Sequence, residues 1–216
     1  QQGRFDRSRE LLEEARDAYA AINAPLMLAQ CIQDLSKAHR KVGNLALART
    51  LSEEALTRFE ALGYSSGLAR AQRSLAVLDL FSKDWESSRA HFTKALTLYE
   101  RTGNPLGQHK CLNGLAEVAR GLGNYETAET GYRRALEIAQ AIGTSERLIP
   151  ELNLALTILR QGRIDEAQSH LENIIDNVDN ANRTGLLGGT HVCLIATAAL
   201  KNDLPQSVLS FHRLLH

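Results

Sequence analysis

Apolar side chains recur along this chain at the spacing of amphipathic helices. In the stretch that begins at Tyr125, apolar or small residues follow at Ala128, Tyr132, Ala135 and Leu136, so that they share one face of a helix. Similar stretches run through the whole sequence and are separated by short turns that carry glycine, asparagine or aspartate. The pattern predicts an all-α protein.

The turns repeat at a nearly constant interval. One kind of turn occurs at positions 3, 43, 83, 123, 162 and 202, which lie 40 residues apart except for a single interval of 39. Such a period indicates a repeat protein, in which each unit is one supersecondary element stacked on the next. Two helices per unit give about 11 helices over the chain.

Three positions within each unit define the expected packing. A small residue five positions after the turn lets two helices approach closely, and a leucine eight positions before the turn forms a buried seam. Glycine or asparagine twenty positions after the turn ends a helix in the left-handed conformation. The small residues are Ala48, Ser88, Ala128, Ala167 and Ser207; the leucines are Leu35, Leu75, Leu115, Leu154 and Leu194; the helix-ending residues are Asn23, Gly63, Gly103, Gly143 and Asn182.

The unit resembles the tetratricopeptide repeat. The turn, aromatic residue and two alanines of that family are matched most fully by Gly123, Tyr125, Ala128 and Ala135. Its small first-helix position is matched by Ser36, Ala76, Ala116 and Ala155, whereas its tryptophan is replaced by Ile32, Gln72, Leu112, Glu151 and His191. The period of 40 resembles the longer variant of bacterial signalling and regulatory proteins. The resemblance implies one α-α superhelix, a solenoid of stacked antiparallel helix pairs over residues 1–216.

We expect the chain to be part of a longer protein. It begins on the second helix of a pair, and it ends in a stretch where Val208, Phe211, Leu214 and Leu215 form an apolar stripe. Repeat arrays need a polar capping surface at their ends. Further repeats, another domain or a partner chain are therefore expected to cover this stripe.

Charge and composition exclude several classes of function. Lys and Arg total 25 and so do Asp and Glu, which argues against a nucleic-acid binder that works by general phosphate neutralisation. The sequence contains no run of 18 apolar residues, so it predicts no membrane span. Three widely spaced cysteines, Cys31, Cys111 and Cys193, argue against a disulfide framework and indicate a reducing compartment, so we expect a cytoplasmic protein.

No segment carries a catalytic, metal-binding or cofactor-binding motif. His109 and Cys111 stand two residues apart, as do His191 and Cys193, and such side chains point in different directions on a helix. The glycine-rich segment 185–190 lacks the Gly-Lys-Ser/Thr of a phosphate-binding loop, and segment 176–182 lacks the glutamate of a calcium loop. The sequence predicts a non-enzymatic protein without metal or cofactor.

The inner surface of the solenoid is the remaining candidate for function. The resemblance implies that the first helix of each pair lines this groove at positions three, six, ten and thirteen before the turn. The candidate groove residues are Gln33, Lys37, Arg40, Arg70, Arg73, Val77, Lys110, Asn113, Glu117, Arg120, Leu152 and Leu156. The first three layers are mostly basic, with Glu117 as their one acid, and the later layers are apolar. Basic donors suit carboxylates, and apolar layers suit hydrophobic side chains.

These observations lead to one main hypothesis and two alternatives. We expect a protein–protein interaction module that binds an acidic-to-hydrophobic peptide or partner segment in its groove, as the sensing or scaffold arm of a larger bacterial regulator. One alternative is a structural module that forms a homo-oligomer through its helical ends or its apolar C-terminal groove. The other is a superhelix that closes around a small peptide and changes its pitch.

Overall fold

The chain folds into consecutive α-helices joined by tight turns. The structure, a computed structural model, describes residues 2–176 together with residues 193, 194, 197 and 201. The helices are α1 (Gln2–Ala21), α2 (Pro25–Lys41), α3 (Leu45–Ala61), α4 (Ser65–Phe81), α5 (Trp85–Arg101), α6 (Pro105–Gly121), α7 (Tyr125–Ala141), α8 (Leu148–Arg160) and α9 (Ile164–Asp176). A short 3-10 turn, Ser145–Arg147, precedes α8. The all-α prediction is confirmed.

Some expectations from the sequence fall beyond these helices. The predicted turns at 182 and 202, the glycine-rich segment 185–190 and the apolar stripe near the C-terminus lie outside the described residues. Among the helices that are described, none is long and apolar enough to cross a membrane.

Left-handed residues at two turns per repeat set the helix boundaries. At the first turn Gly43, Gly123 and Gly162 have φ values of 82°, 80° and 81°, and Lys83 has 59°. At the second, φ values of 51°, 60°, 62° and 63° are found at Asn23, Gly63, Gly103 and Gly143. Both sets of predicted turns are confirmed over this range. The predicted turn at Gly3 is wrong, because α1 begins at Gln2 and Gly3 lies within its first helical turn.

Lys83 is the one first-turn residue in this range that carries a side chain on left-handed backbone. Its Cβ crowds the following carbonyl, a clash of about 1–2 kcal/mol that glycine does not have. Because glycine also loses more backbone entropy on folding, we expect Lys83→Gly to raise the free energy of unfolding by about 0.5–1 kcal/mol. Urea denaturation measures the change. Lys94→Gly in the middle of α5 is the matched control and should lower the same quantity by about 1 kcal/mol; equal losses in both variants would contradict the strain.

Apolar packing between the helices builds two compact units, Gln1–Val118 and Ala119–His216. In the first unit the rings of Phe59, Phe92 and Tyr99 are buried among alanines and leucines of neighbouring helices. In the second unit the buried side chains include Tyr132, Leu154, Ile158, Leu171 and Ile174. The predicted small positions Ala48, Ser88, Ala128 and Ala167 are fully buried. Of the leucine seam, Leu35, Leu75, Leu154 and Leu194 are buried and Leu115 is half-buried.

Two glycines at the same repeat position let an aromatic ring lie directly against a helix backbone. A Cβ atom placed on Gly67 would lie 2.3 Å from Cδ1 of Phe59, and one placed on Gly107 would lie 2.3 Å from Cδ1 of Tyr99. Each glycine follows its ring by eight residues, across a turn, so the two repeats share one packing solution. A methyl group therefore has no room at either position.

Candidate functional site

Four basic side chains and one acidic side chain cluster on α2 and α4 of the first unit. Asp34, Lys37 and Arg40 stand on α2, and Arg70 and Arg73 stand on α4; we call these five residues the basic face. Asp34 Oδ1 lies 2.8 Å from Lys37 Nζ and 2.9 Å from Arg70 Nη2, so this one carboxylate links the two helices. The sequence prediction did not include Asp34, which makes it a second acid beside Glu117 in the first layers.

One carboxylate does not balance the four cations of the basic face. Burial lowers the pKa of Lys37, and the positive charges of Arg70 and Arg73 lower it further. The hydrogen bond of Lys37 to Asp34 acts in the opposite direction. Burial also lowers the pKa of Arg40, and the charge of Arg73 lowers it further. Arg40 has no acidic partner among the residues that the structure describes. The basic face thus concentrates like charges in a partly desolvated place, and an anion bound there would relieve their repulsion.

Arg73 lies close to a tyrosine of the next repeat. That residue, Tyr99 on α5, is almost fully buried. Burial raises the pKa of Tyr99, and the nearby guanidinium of Arg73 acts in the opposite direction. The Tyr99 ring that packs on Gly107 therefore has one cation of the basic face beside its hydroxyl.

The structure places the other candidate residues of the first unit in different environments. Gln33 is fully buried, and its Nε2 donates to Ser74 Oγ at 2.8 Å. The expectation that Gln33 lines the groove is therefore wrong, because its side-chain amide is buried between α2 and α4, where it bonds to Ser74. Val77 is partly buried against the apolar cluster of the same unit. Lys110, Asn113 and Glu117 follow on α6 and are half-exposed.

The remaining candidates belong to the second unit. Arg120 and Leu156 are half-exposed. Leu152 packs against two small apolar clusters, one around Leu148 and one around Leu171. Part of the expected apolar lining is thus used for packing within this unit.

A charged cluster that the sequence analysis missed lies in the second unit; we call it the Glu129 cluster. Glu129 on α7 is buried and accepts hydrogen bonds from Arg163 at 2.8 Å and from Gln161 at 2.9 Å, and it pairs with Arg133. Burial by itself would raise the pKa of Glu129, but the hydrogen bonds from Gln161 and Arg163 and the nearby arginine charges outweigh it, so the pKa is lowered. The cluster ties α7 to the turn between α8 and α9.

A second unexpected group is a buried polar network in the first unit, which we call the Asp79 network. The carboxylate of Asp79 on α4 pairs with Arg49 on α3, and its Oδ2 lies 3.8 Å from His91 Nε2 on α5. His91 Nδ1 lies 2.6 Å from Gln72 Oε1. Burial lowers the pKa of His91, although the charge of Asp79 opposes this. Polar contacts therefore replace apolar ones at the centre of three helices.

The cysteines and histidines form no metal site within the described part of the chain. Cys31 is buried and its Sγ donates to the carbonyl of Leu12 at 3.0 Å, and burial raises the pKa of Cys111 to about 12. Both thiols are protonated at neutral pH and fill space, as the shared repeat position of Cys31 and Cys111 suggested.

The repeat geometry agrees with a family comparison. Residues 28–101 and 109–180, more than half of the chain, match the family model of the tetratricopeptide repeat. The chain belongs to the tetratricopeptide repeat family. No curated protein sequence matches it.

Solved structures of tetratricopeptide repeat proteins share the fold at low sequence identity. BtubC (BKLC) from P. vanneervenii is 21% identical with a TM-score of 0.79, over 97% of this chain and 89% of that one. A signal transduction ATPase with a tetratricopeptide repeat sensor from Pyrococcus horikoshii is 20% identical with a TM-score of 0.72, over 95% of this chain and 32% of that one. A Rap protein in complex with Competence and Sporulation Factor is 11% identical with a TM-score of 0.75, over 99% and 70%.

Proposed function

We propose that this chain is a non-enzymatic interaction module whose basic face binds an acidic segment of a partner protein. The observation that carries the proposal is the excess of positive charge on α2 and α4, where Asp34 is the one acid beside four cations and pairs with two of them, Lys37 and Arg70. Tetratricopeptide repeats are interaction scaffolds, and the first helix of each pair presents side chains to a partner.

The contacts within the basic face suggest which groups engage the partner. Lys37 and Arg70 both pair with the same oxygen of Asp34, whereas Arg40 has no acid beside it in the described range and Arg73 lies near the uncharged Tyr99 hydroxyl. A guanidinium can hold a carboxylate through two parallel hydrogen bonds. Each such pair at a surface contributes about 0.2–1 kcal/mol, so a segment with several acidic residues is needed for useful affinity.

The solved relatives support a role in regulation. One of them is described as a sensor within a signal transduction ATPase, and another is a Rap protein in complex with Competence and Sporulation Factor. By analogy, this chain would serve as the sensing or scaffold arm of a larger bacterial regulator in the cytoplasm. Within the second unit, half-exposed Leu156 and exposed Ile149 are a separate candidate surface for hydrophobic side chains.

Reversal of two charges tests the basic face. A fluorescein-labelled peptide of alternating glutamate and leucine serves as the acidic probe in fluorescence anisotropy at 50 and 200 mM salt. We expect Arg40→Glu with Arg73→Glu to weaken binding at least about tenfold, because two attractive contacts become repulsive. The loss should be smaller at the higher salt concentration.

A matched pair of variants separates the site from overall charge. Arg89→Glu with Arg101→Glu changes the net charge equally, on exposed positions of α5 away from the basic face. This control should retain the binding of the unaltered chain. Equal weakening by both pairs, or none by the first pair, would remove the basic face from the proposal.

Self-association is the alternative that exposed apolar side chains favour. Phe81 in the first unit is 59% exposed, and Ile149 in the second unit is 63% exposed. Static light scattering over a wide concentration range distinguishes the two functions, because a constant monomer mass excludes a homo-oligomer.

A further inference from the structure

A cleft of about 390 Å³ opens between α3, α4 and α5, within the first unit. Its apolar lining comes from Leu68 on α4 and Leu98 on α5, and its polar lining includes Gln72, Lys94 and Glu60. Cavities of about 300–1,000 Å³ with an apolar lining and a few polar groups are typical of small-molecule sites.

Two repeat positions at and beside the cleft depart from their counterparts in the preceding repeat. In the repeat around the turn at Gly43, Ile32 stands eleven residues before the turn and Leu51 stands eight residues after it. Both side chains belong to one apolar cluster. The corresponding positions of the next pair are Gln72 and His91, which bond to each other at 2.6 Å. A polar pair therefore stands where the preceding repeat has an aliphatic pair, and Gln72 of that pair lines the cleft.

The Gln72 amide has a bonding capacity that the fold does not use. Only 9% of Gln72 is exposed, and its Oε1 is taken by His91. Its Nε2 has no hydrogen-bond partner among the described residues, and the side chain lines the cleft. This nitrogen is not among the enclosed unpartnered atoms of the described chain, so it is open to solvent in the cleft and can donate to a ligand there.

The charges of the cleft determine where a ligand's polar group would lie. Lys94 and Glu60 are both exposed, and neither forms an ion pair with any residue that the structure describes. Lys94 stands on α5, four residues before Leu98, whereas Glu60 stands in the last turn of α3. The two available donors, Gln72 Nε2 and Lys94 Nζ, favour a carboxylate, which the carboxylate of Glu60 would repel from its own side of the cleft.

We propose that this cleft binds a small amphipathic carboxylate, with its hydrocarbon part on Leu68 and Leu98 and its carboxylate accepting hydrogen bonds from Gln72 and Lys94. The site is separate from the basic face. Leu68 and Gln72 are four residues apart and share one side of α4, whereas Arg70 and Arg73 project from other sides of the same helix. One module would therefore carry a partner surface and a small-molecule site on a common helix.

Titration of the full chain with three eight-carbon probes tests the ligand class. Octanoate, 1-octanol and octylammonium share their hydrocarbon part and differ in charge, and ¹H–¹⁵N NMR spectra report binding and its location. We expect octanoate to shift the resonances of α4 and α5 and to bind at least about fivefold more tightly than the other two. Equal binding of octanol would overturn the carboxylate assignment, and the absence of shifts with octanoate would overturn the site.

Variants of the cleft test the location. Gln72→Ile with His91→Leu copies the Ile32 and Leu51 pair, so it should fold and fill the cleft, and octanoate binding should be lost. Lys94→Gln should weaken binding about fivefold, whereas Arg101→Gln on the same helix should leave it unchanged. Circular dichroism confirms folding of each variant. Undiminished binding by a folded Gln72→Ile, His91→Leu variant would contradict the proposal.

The C-terminus of a peptide also combines a carboxylate with an apolar side chain, so a peptide is compared with octanoate as a ligand of the cleft. The tripeptide N-acetyl-Ala-Ala-Leu is titrated beside octanoate. Tighter binding of octanoate supports a free carboxylic acid, and binding of the tripeptide alone would assign the cleft to a protein terminus instead.

Discussion

Gly67→Ala should lower the free energy of unfolding by about 2–3 kcal/mol, which is the typical cost of added volume in a packed core. The new Cβ would lie 2.3 Å from Cδ1 of Phe59, whose ring is fully buried and cannot move without displacing its neighbours. Alanine favours a helix over glycine by about 1 kcal/mol, and this gain offsets part of the steric cost. The measured loss is therefore smaller than the steric cost by that amount. Urea denaturation gives the change in free energy, and a thermal melt should fall by roughly 5–10 °C.

Two further variants show whether the ring is the cause. Phe59→Leu combined with Gly67→Ala should be more stable than the sum of the single losses predicts, because the smaller side chain leaves room for the methyl group. Gly43→Ala places its Cβ where no atom lies within 4 Å, and its loss of about 1 kcal/mol comes from the left-handed backbone alone. If Gly67→Ala were no worse than Gly43→Ala, the close approach of α4 to Phe59 would be refuted.

Glu129→Ala should destabilise the second unit by about 2–3 kcal/mol. Removal of this buried carboxylate leaves Arg133 and Arg163 with the half-exposed Glu166 as their shared acid in the described part of the chain, and it deprives Gln161 of its acceptor. The loss of one partner of a buried charge pair is among the larger single-residue effects. Urea is the suitable denaturant, because guanidinium chloride would screen the charges.

The pH dependence of the same variant gives an independent check. The folded state lowers the pKa of Glu129 below its ordinary value of about 4.5, so the carboxylate stabilises the fold above that pH. This contribution is lost as the pH falls through the lower folded value. The unfolding free energy of Glu129→Ala should therefore fall less steeply below pH 4.5 than that of the unaltered chain. Glu137→Gln, exposed on the same helix, is the control and should change stability by no more than about 0.5 kcal/mol.

The regular features of the fold were predictable because they recur in every repeat. Left-handed residues at Gly43 and Gly63 and small residues at Ala48 and Ala128 follow from backbone geometry and from the distance between helices, which depend on local sequence. A period of 40 supplies several copies of each signal. The first and last residues of most helices could therefore be predicted to within about one or two positions over the described range.

The candidate site was less predictable, because it depends on which side chains meet across helices. Gln33 and Arg73 occupy the same repeat position, yet Gln33 is buried against Ser74 and Arg73 extends to Tyr99. Side-chain length and the identity of the facing residue decide between these two outcomes. The Asp79 network also joins residues of different elements, and it leaves no periodic trace in the sequence.

The Asp79 network also bears on how the chain avoids pairing with the wrong copy of itself. Repeats of equal length and similar apolar seams can associate one unit out of register or exchange helices between two chains as they fold. A slip of one repeat would set Ile32 against His91 and Gln72 against Leu51, and each polar group left without its partner would cost about 1–3 kcal/mol. The second helix pair is thereby made chemically unlike the first, so a mismatched pairing is less stable than the native one.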